Sequence, residues 1–371
     1  MMNRVTLKIM ILALLLAGVV FSVSACKKAA PEEPVIPTES VETEAILPAE
    51  TEPATVPTTE ATEPEPEVFT LTFVGDCTFG SNEANWYAPY GFIKTVGENY
   101  DYPFRNVISY FENDDFTMIN LEGPFCDSGN PAQKKHTFRG PTSYVNFITE
   151  NSIEAVTLAN NHTQDYGKAG YAATIQTLED AQVPYVAENS SVIVTTNSGL
   201  TIGIYAAVYN SWDMEDLKTE VAALREQNVD LVIYAVHWGT EGSYHPVSNQ
   251  VDMAHEIIDS GVDIIYGSHP HVLQNVEEYN GGIIYYSLGN FCFGGNLYPR
   301  DLDTAILQQQ VIREPDGTVH LGELTMIPAS VSSIPIRNNF QPTPYEEGTE
   351  EYARALSKLD GTWTGYDLQI S

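Results

Sequence analysis

The sequence predicts an α/β sandwich with mixed sheets, and three observations carry that prediction. Short apolar runs rich in β-branched residues alternate with amphipathic stretches, the pattern of strands joined by helical crossovers. Two turn signals, Asn280-Gly281-Gly282 and Pro315-Asp316-Gly317, add antiparallel pairs to the parallel ones that the alternation implies. Polar and ionisable residues collect just past the apolar runs, where the reactive groups of open α/β sheets stand.

Taken in order, the chain of 371 residues opens on Arg4 and Lys8, then an apolar run over 9–23 ending in Val23-Ser24-Ala25-Cys26. The run is short for a bilayer span and precedes a small-residue cleavage site, which predicts a secretory signal over 1–26. Residues 27–67 hold eleven Glu against Lys27 and Lys28, among Pro, Thr, Ala and Val without apolar periodicity. Such a segment cannot bury enough surface to offset its ordering entropy, so a disordered acidic tether is expected. The domain follows over 68–371, long enough for one sizeable core. Its predicted strands are 68–74, 116–121, 155–158, 201–208, 231–236, 264–266 and 283–287; its predicted helices lie near 143–150, 170–181, 214–226 and 247–259. A last hairpin pairs 305–312 with 319–326, and a short helix and irregular tail follow. No later segment is apolar enough to cross a membrane.

The formal net charge of −33, from 17 basic and 50 acidic residues, repels phosphate backbones and excludes nucleic acid as a partner. It also concentrates cations. Beyond Cys26 the cysteines are Cys77, Cys126 and Cys292, an odd number without metal-ligand spacing, so a stapled extracellular scaffold is not indicated. One disulfide or buried free thiols both fit.

The polar residues sort by strand end. Gly75-Asp76 closes the first run, Asn120-Leu121-Glu122 the second and Ala159-Asn160-Asn161-His162 the third, with Asp165 soon after. His237-Trp238-Gly239-Thr240-Glu241, Gly267-Ser268-His269-Pro270-His271 and Ser287-Leu288-Gly289-Asn290 close three later runs. Each alone reads as a turn, a cap or a satisfied histidine. As a set, carboxylates, Asn and His supply the mixed oxygen and nitrogen donors that Zn, Mn or Fe take. In an extended segment His269 and His271 face the same way, and Pro270 stiffens it. His136, His245, His255 and His320 stand apart from these groups.

Together these motifs resemble the CapA (poly-γ-glutamate capsule biosynthesis) proteins, a family similar in fold to the calcineurin-like metallophosphatases. The likeness covers roughly 69–326 and is densest over 261–274. It implies a metallophosphatase-like four-layer sandwich, two mixed sheets flanked by helices, around one or two divalent ions. Asp76, Glu122, Asn161, His237, His269 and His271 would be the ligands. The likeness makes His162 the residue that protonates the leaving oxygen, with Asp165 orienting it. Two positions depart from the pattern: Asp76-Cys77-Thr78 stands where metallophosphatases have Asp-x-His, and Glu122 replaces the usual Asp. Val23 to Cys26 likewise resembles a bacterial lipobox, which implies acylation of Cys26 and anchoring on the outer face of the cell membrane.

The expected function is a metal-dependent hydrolase acting on an anionic surface polymer or a phosphoester, by Lewis-acid activation of water and of the scissile group. Arg139, Glu241 and Asn290 are the expected substrate-binding residues. A non-catalytic polymer-binding or scaffolding subunit of a surface-polymer export machinery would use the same pocket, and other capsule subunits would be its partners. A solute-binding lipoprotein shares the anchor, but needs two lobes around a cleft.

Overall fold

The computed structural model describes residues 64–209, 211 and 213–369; the signal segment with Cys26, and the tether as far as residue 63, lie outside the described residues. Strand β1 (Glu67–Thr78) leads through short helices α1 (Phe92–Val96) and α2 (Ile108–Phe111) to β2 (Phe116–Leu121). Helix α3 (Asn146–Thr149) precedes β3 (Ala155–Thr157), and α4 (Gly167–Asp180) connects it to β4 (Tyr185–Val186). Next come β5 (Ser190–Thr195), β6 (Thr201–Val208), α5 (Met214–Glu226), β7 (Leu231–His237), α6 (Ser248–Asp259) and β8 (Ile264–Ser268). The hairpin β9 (Val276–Tyr279) and β10 (Gly282–Tyr285) follows, then β11 (Asn290–Phe293). The long pair β12 (Asp303–Arg313) and β13 (Val319–Ser330), β14 (Thr343–Pro344) and α7 (Glu350–Leu359) complete the order.

Both sheets are mixed. The first runs β14-β13-β12-β1-β2-β3-β4, with β11 added against the end of β1. Its β1-β2-β3-β4 half is parallel and its β12, β13 and β14 half antiparallel. The second runs β5-β6-β7-β8-β10-β9, parallel from β6 to β10 with an antiparallel strand at each edge. Asn280 and Gly281, both at positive φ, make the two-residue turn between β9 and β10 that their sequence calls for.

Three buried clusters define four layers. Phe69, Leu71 and Phe73 of β1 pack against Ile202, Ile204 and Ile233 of the second sheet, filling the space between the sheets. Ile119, Leu121 and Val156 meet Phe92, Phe104, Phe147 and Leu178 on the outer face of the first sheet. Val232, Tyr234 and Ile265 meet Leu217, Val221, Ala254 and Ile257 of α5 and α6 on the outer face of the second. The expected four-layer sandwich is the observed one.

A repeated device starts the parallel strands. Asp115, Glu154, Asp230 and Asp263 each stand one residue before a strand, and each side chain accepts from a neighbouring strand's N–H, those of Thr70, Thr117, Thr201 and Val232 at 2.6–2.8 Å. The backbone N–H of each acid returns to that same residue's carbonyl. Two donors left open at each ladder's entry are thereby satisfied.

The first strand does not stop at 74. It continues to Thr78 through a register slip against β2 between Phe73 and Asp76. The Tyr266 hydroxyl, from the facing sheet, donates to the Val74 carbonyl at 2.6 Å and accepts from the Asn120 N–H at 3.0 Å. Gly75 is required here: a Cβ would lie 2.2 Å from the Gly289 carbonyl oxygen. That approach lets the Asp76 N–H bond Gly289 and sets Asp76 beside Asn290. The helix expected near 143–150 is a 3-10 turn over Thr142–Val145 followed by one turn of α3. Cys77, Cys126 and Cys292 are buried free thiols.

Candidate metal centre

The parallel strands of both sheets end at one edge of the sandwich, and the polar strand-end residues meet there. Asp76 and Glu122 are fully buried carboxylates. Asp76 Oδ1 accepts from Asn120 Nδ2 at 2.9 Å, and Asn120 Oδ1 accepts from Asn160 Nδ2 at 3.0 Å. This asparagine ladder across β1, β2 and the loop after β3 leaves Asp76 Oδ2 facing the centre, 3.2 Å from His271 Nδ1. Glu122 Oε1 lies 3.8 Å from the Nε2 atoms of both His271 and His162. Burial pushes the Glu122 carboxyl up, against the lowering pull of His271 and with Asp76 adding to it. Burial lowers His271, but the carboxylates of Glu122 and Asp76 outweigh it and hold the imidazole well above its ordinary value.

From the second sheet, His237 ends β7 with Nδ1 2.9 Å from Ser268 Oγ, a hydroxyl whose own proton goes to the Val236 carbonyl. The other ring nitrogen, Nε2, faces Asn161 Oδ1 3.2 Å away. Burial, reinforced by His269 and His271, holds His237 neutral. The His237 and His269 rings lie 4.6 Å apart, and those of His269 and His271 6.0 Å.

The last two histidines converge by a different route from the one expected. Strand β8 ends at Ser268, and His269 and His271 both have positive φ, 101° and 57°. They are turn residues in the left-handed region on either side of Pro270, not alternate residues of a strand. Such a conformation costs a non-glycine residue of order 1–3 kcal/mol and is found where a site over-determines it.

His162 stands at the mouth. Its Nδ1 is 2.7 Å from Asp165 Oδ2, which also accepts from the Phe138 N–H, while Lys134 Nζ pairs with Asp165 Oδ1 at 2.5 Å. Phe138 covers the imidazole with ring centroids 4.5 Å apart. Burial lowers the His162 pKa, against the raising effect of Asp165.

The three residues expected to bind substrate fare differently. Asn290 Oδ1 is 3.0 Å from His271 Nδ1, so this side chain holds a histidine. Glu241 is exposed, and its carboxylate lies within 4.8 Å of donor atoms of His269 and His271. Arg139 is turned elsewhere: its guanidinium lies 4.0 Å over the Trp86 ring and 5.3 Å from that of Tyr166, and donates to the Cys126 carbonyl. His136, which stood apart in the sequence, lines the cleft of about 400 Å³ shared by His162, His271, Glu241 and Asn290. The tail residues Leu368 and Gln369 line it too. Nothing in local sequence marked either contribution.

The residues fit a divalent cation. Both Glu122 carboxylate oxygens and His269 Nδ1 are buried without a hydrogen-bond partner, and the inward-facing Asp76 Oδ2 meets only His271. A buried carboxylate without a full set of partners is costly, a cost a coordinated cation removes. The donor atoms of Asp76, Glu122 and His271 all lie within 4.8 Å of one another, near the separation that bonds of about 2.0–2.2 Å to one ion impose.

Residues 70–295 match the family model described as bacterial capsule synthesis protein PGA_cap. The capsule biosynthesis protein CapA of Bacillus anthracis is 32% identical over 284 residues, which cover 67% of this chain and 66% of that protein. The PGA biosynthesis protein CapA of Bacillus subtilis (strain 168) is 27% identical over 330 residues, 82% of this chain and 84% of that protein. Among solved structures, the NAD nucleotidase of Haemophilus influenzae aligns with 80% of this chain and 63% of its own at 12% identity and a TM-score of 0.42. Purple acid phosphatase from yellow lupin aligns with 82% and 57% at 11% identity and a TM-score of 0.34.

Proposed function

The chain belongs to the bacterial capsule synthesis family PGA_cap, and from that premise we propose that it is a lipid-anchored, divalent-metal-dependent hydrolase of the outer cell surface, acting on poly-γ-glutamate or another anionic surface polymer. The observation that carries this reading is the set of buried donor atoms on Asp76, Glu122 and His269, those of Glu122 and His269 without a hydrogen-bond partner, gathered beside His271 and His162, which line the cleft. Asp76, Glu122 and His271 would hold one ion; Asn161, His237 and His269 would hold a second, with Glu122 between them. A bound Mn, Zn or Fe ion supplies Lewis-acid polarisation of the scissile group and of water.

The chain's own residues do the rest. Asp165 takes the Nδ1 side of His162, so a proton given to the leaving group would come from Nε2 of the imidazolium, which returns to the neutral ring. Phe138 shields one face of that imidazole from water, and Asn290 fixes the rotation of His271. Thr78 favours a second reading, a non-catalytic polymer-binding subunit. Its hydroxyl donates to the Glu122 carbonyl at 2.8 Å, so the position where metallophosphatases carry histidine offers at most a neutral hydroxyl oxygen, a weaker ligand than imidazole.

Metal analysis of the purified 64–371 domain, paired with assays on a phosphodiester and a γ-glutamyl substrate, separates the two. The hydrolase reading expects bound divalent metal and turnover that a chelator removes and added metal restores. Bound metal with no turnover of either substrate class supports the subunit.

A further inference from the structure

Thr78 leaves Asp76, Glu122 and His271 as three donors on one side of the centre. Opposite them, Glu241 has an oxygen within 4.8 Å of donor nitrogens of both His269 and His271. No hydrogen bond among the described residues occupies that carboxylate. The loop presenting it is firmly built. Glu241 lies between Gly239 and Gly242, which have positive φ of 85° and 78°. The Gly242 N–H donates to the Pro270 carbonyl at 2.8 Å, tying the loop to the turn that carries both histidines. On its far side the Gly242 carbonyl accepts from the Leu368 N–H at 2.9 Å, and Asp367 accepts from the Tyr244 N–H at 2.9 Å. Three backbone-directed bonds thus hold an exposed acid against two histidines, one of which keeps a buried, unpartnered Nδ1. A surface glutamate placed only for solubility needs no such support.

We propose that Glu241 is itself a ligand of the metal centre, reaching from the second sheet to add a carboxylate donor beside His269 and His271. The inference rests on the metal-centre reading above and extends it to this chain's own ligand set. With Glu241 the centre gathers a third carboxylate.

The test is equilibrium Mn²⁺ titration of the metal-stripped 64–371 domain, read by the EPR signal of free Mn²⁺, with apo melting temperature measured beside it. The variants are Glu241→Gln, Glu241→Asp and, as a control, Glu226→Gln at the far end of α5. Glu241→Gln should bind at least one Mn²⁺ about tenfold or more weakly, with Glu241→Asp intermediate and Glu226→Gln like wild type. Apo melting should be unchanged, because the side chain is exposed. Identical isotherms for Glu241→Gln and wild type overturn the assignment and leave the metal centre standing. Failure of the wild-type domain to bind Mn²⁺ overturns both.

Discussion

Histidines adjacent in the cleft are assigned unlike duties, and single substitutions can tell them apart. His269 carries a buried Nδ1 without a partner, so His269→Ala should lower metal content together with the stabilisation that metal confers. His162 has its Nδ1 engaged by Asp165 and its Nε2 3.8 Å from Glu122. His162→Ala should therefore keep metal and lose about 10²–10⁴-fold in kcat, the usual worth of general-acid help. Equal metal loss in both variants would make His162 a ligand. The convergence of Asp76, Glu122, Asn161, His162, His237, His269 and His271 was legible because each follows an apolar run, and parallel strands deliver their ends to one edge. What holds these residues was not. The Asn120–Asn160 ladder, the Tyr266 hydroxyl at the β1 slip and the Asn290 contact to His271 join positions as much as 192 residues apart, and no local pattern encodes them. Arg139 misled because a cation beside glycine and proline reads the same whether it faces a cleft or, as here, an indole ring.

At the scale of the element, the acid before β2, β3, β7 and β8 is a device visible in the sequence once its geometry is known. Asp230 accepts from both the N–H and the hydroxyl of Thr201 and pairs with Arg313 Nη2 at 2.8 Å. Burial would raise its carboxyl, but the Thr201 bonds and Arg313 outweigh it and leave the pKa below the ordinary value. A depressed folded-state pKa contributes stability above the unfolded value and loses it as pH falls through the folded one. Asp230→Asn should therefore cost about 1–2 kcal/mol at neutral pH and almost nothing at the acid limit, where wild type is also protonated. Urea titrations over a series of pH values from 7 downward check it; a loss that does not shrink as the pH falls would show that the charge is irrelevant. Helices α5 and α6 and the long hairpin stood out through plain periodicity and turn chemistry. Strands β4, β5, β11 and β14 did not, being two to six residues long and placed by their neighbours. Helices α1 and α2, of five and four residues, are too short to show a period.

For the whole molecule, the −33 charge and the position of Cys26 concern where the protein works. On the proposed anchoring, Cys26→Ser removes the acyl attachment point, and the protein should then leave the membrane fraction or persist as an unprocessed precursor. Detergent partitioning and the mature mass decide it, and no change in either would remove the anchor from the account. The domain's two chain ends lie very differently with respect to the cleft. Glu67 begins β1 about 30 Å from Asp76 along an extended strand. Gln369, by contrast, lines the cleft, and its carbonyl accepts from Arg300. An affinity tag or reporter joined directly after Gln369 would crowd whatever enters that opening, whereas one joined ahead of β1 would leave it clear.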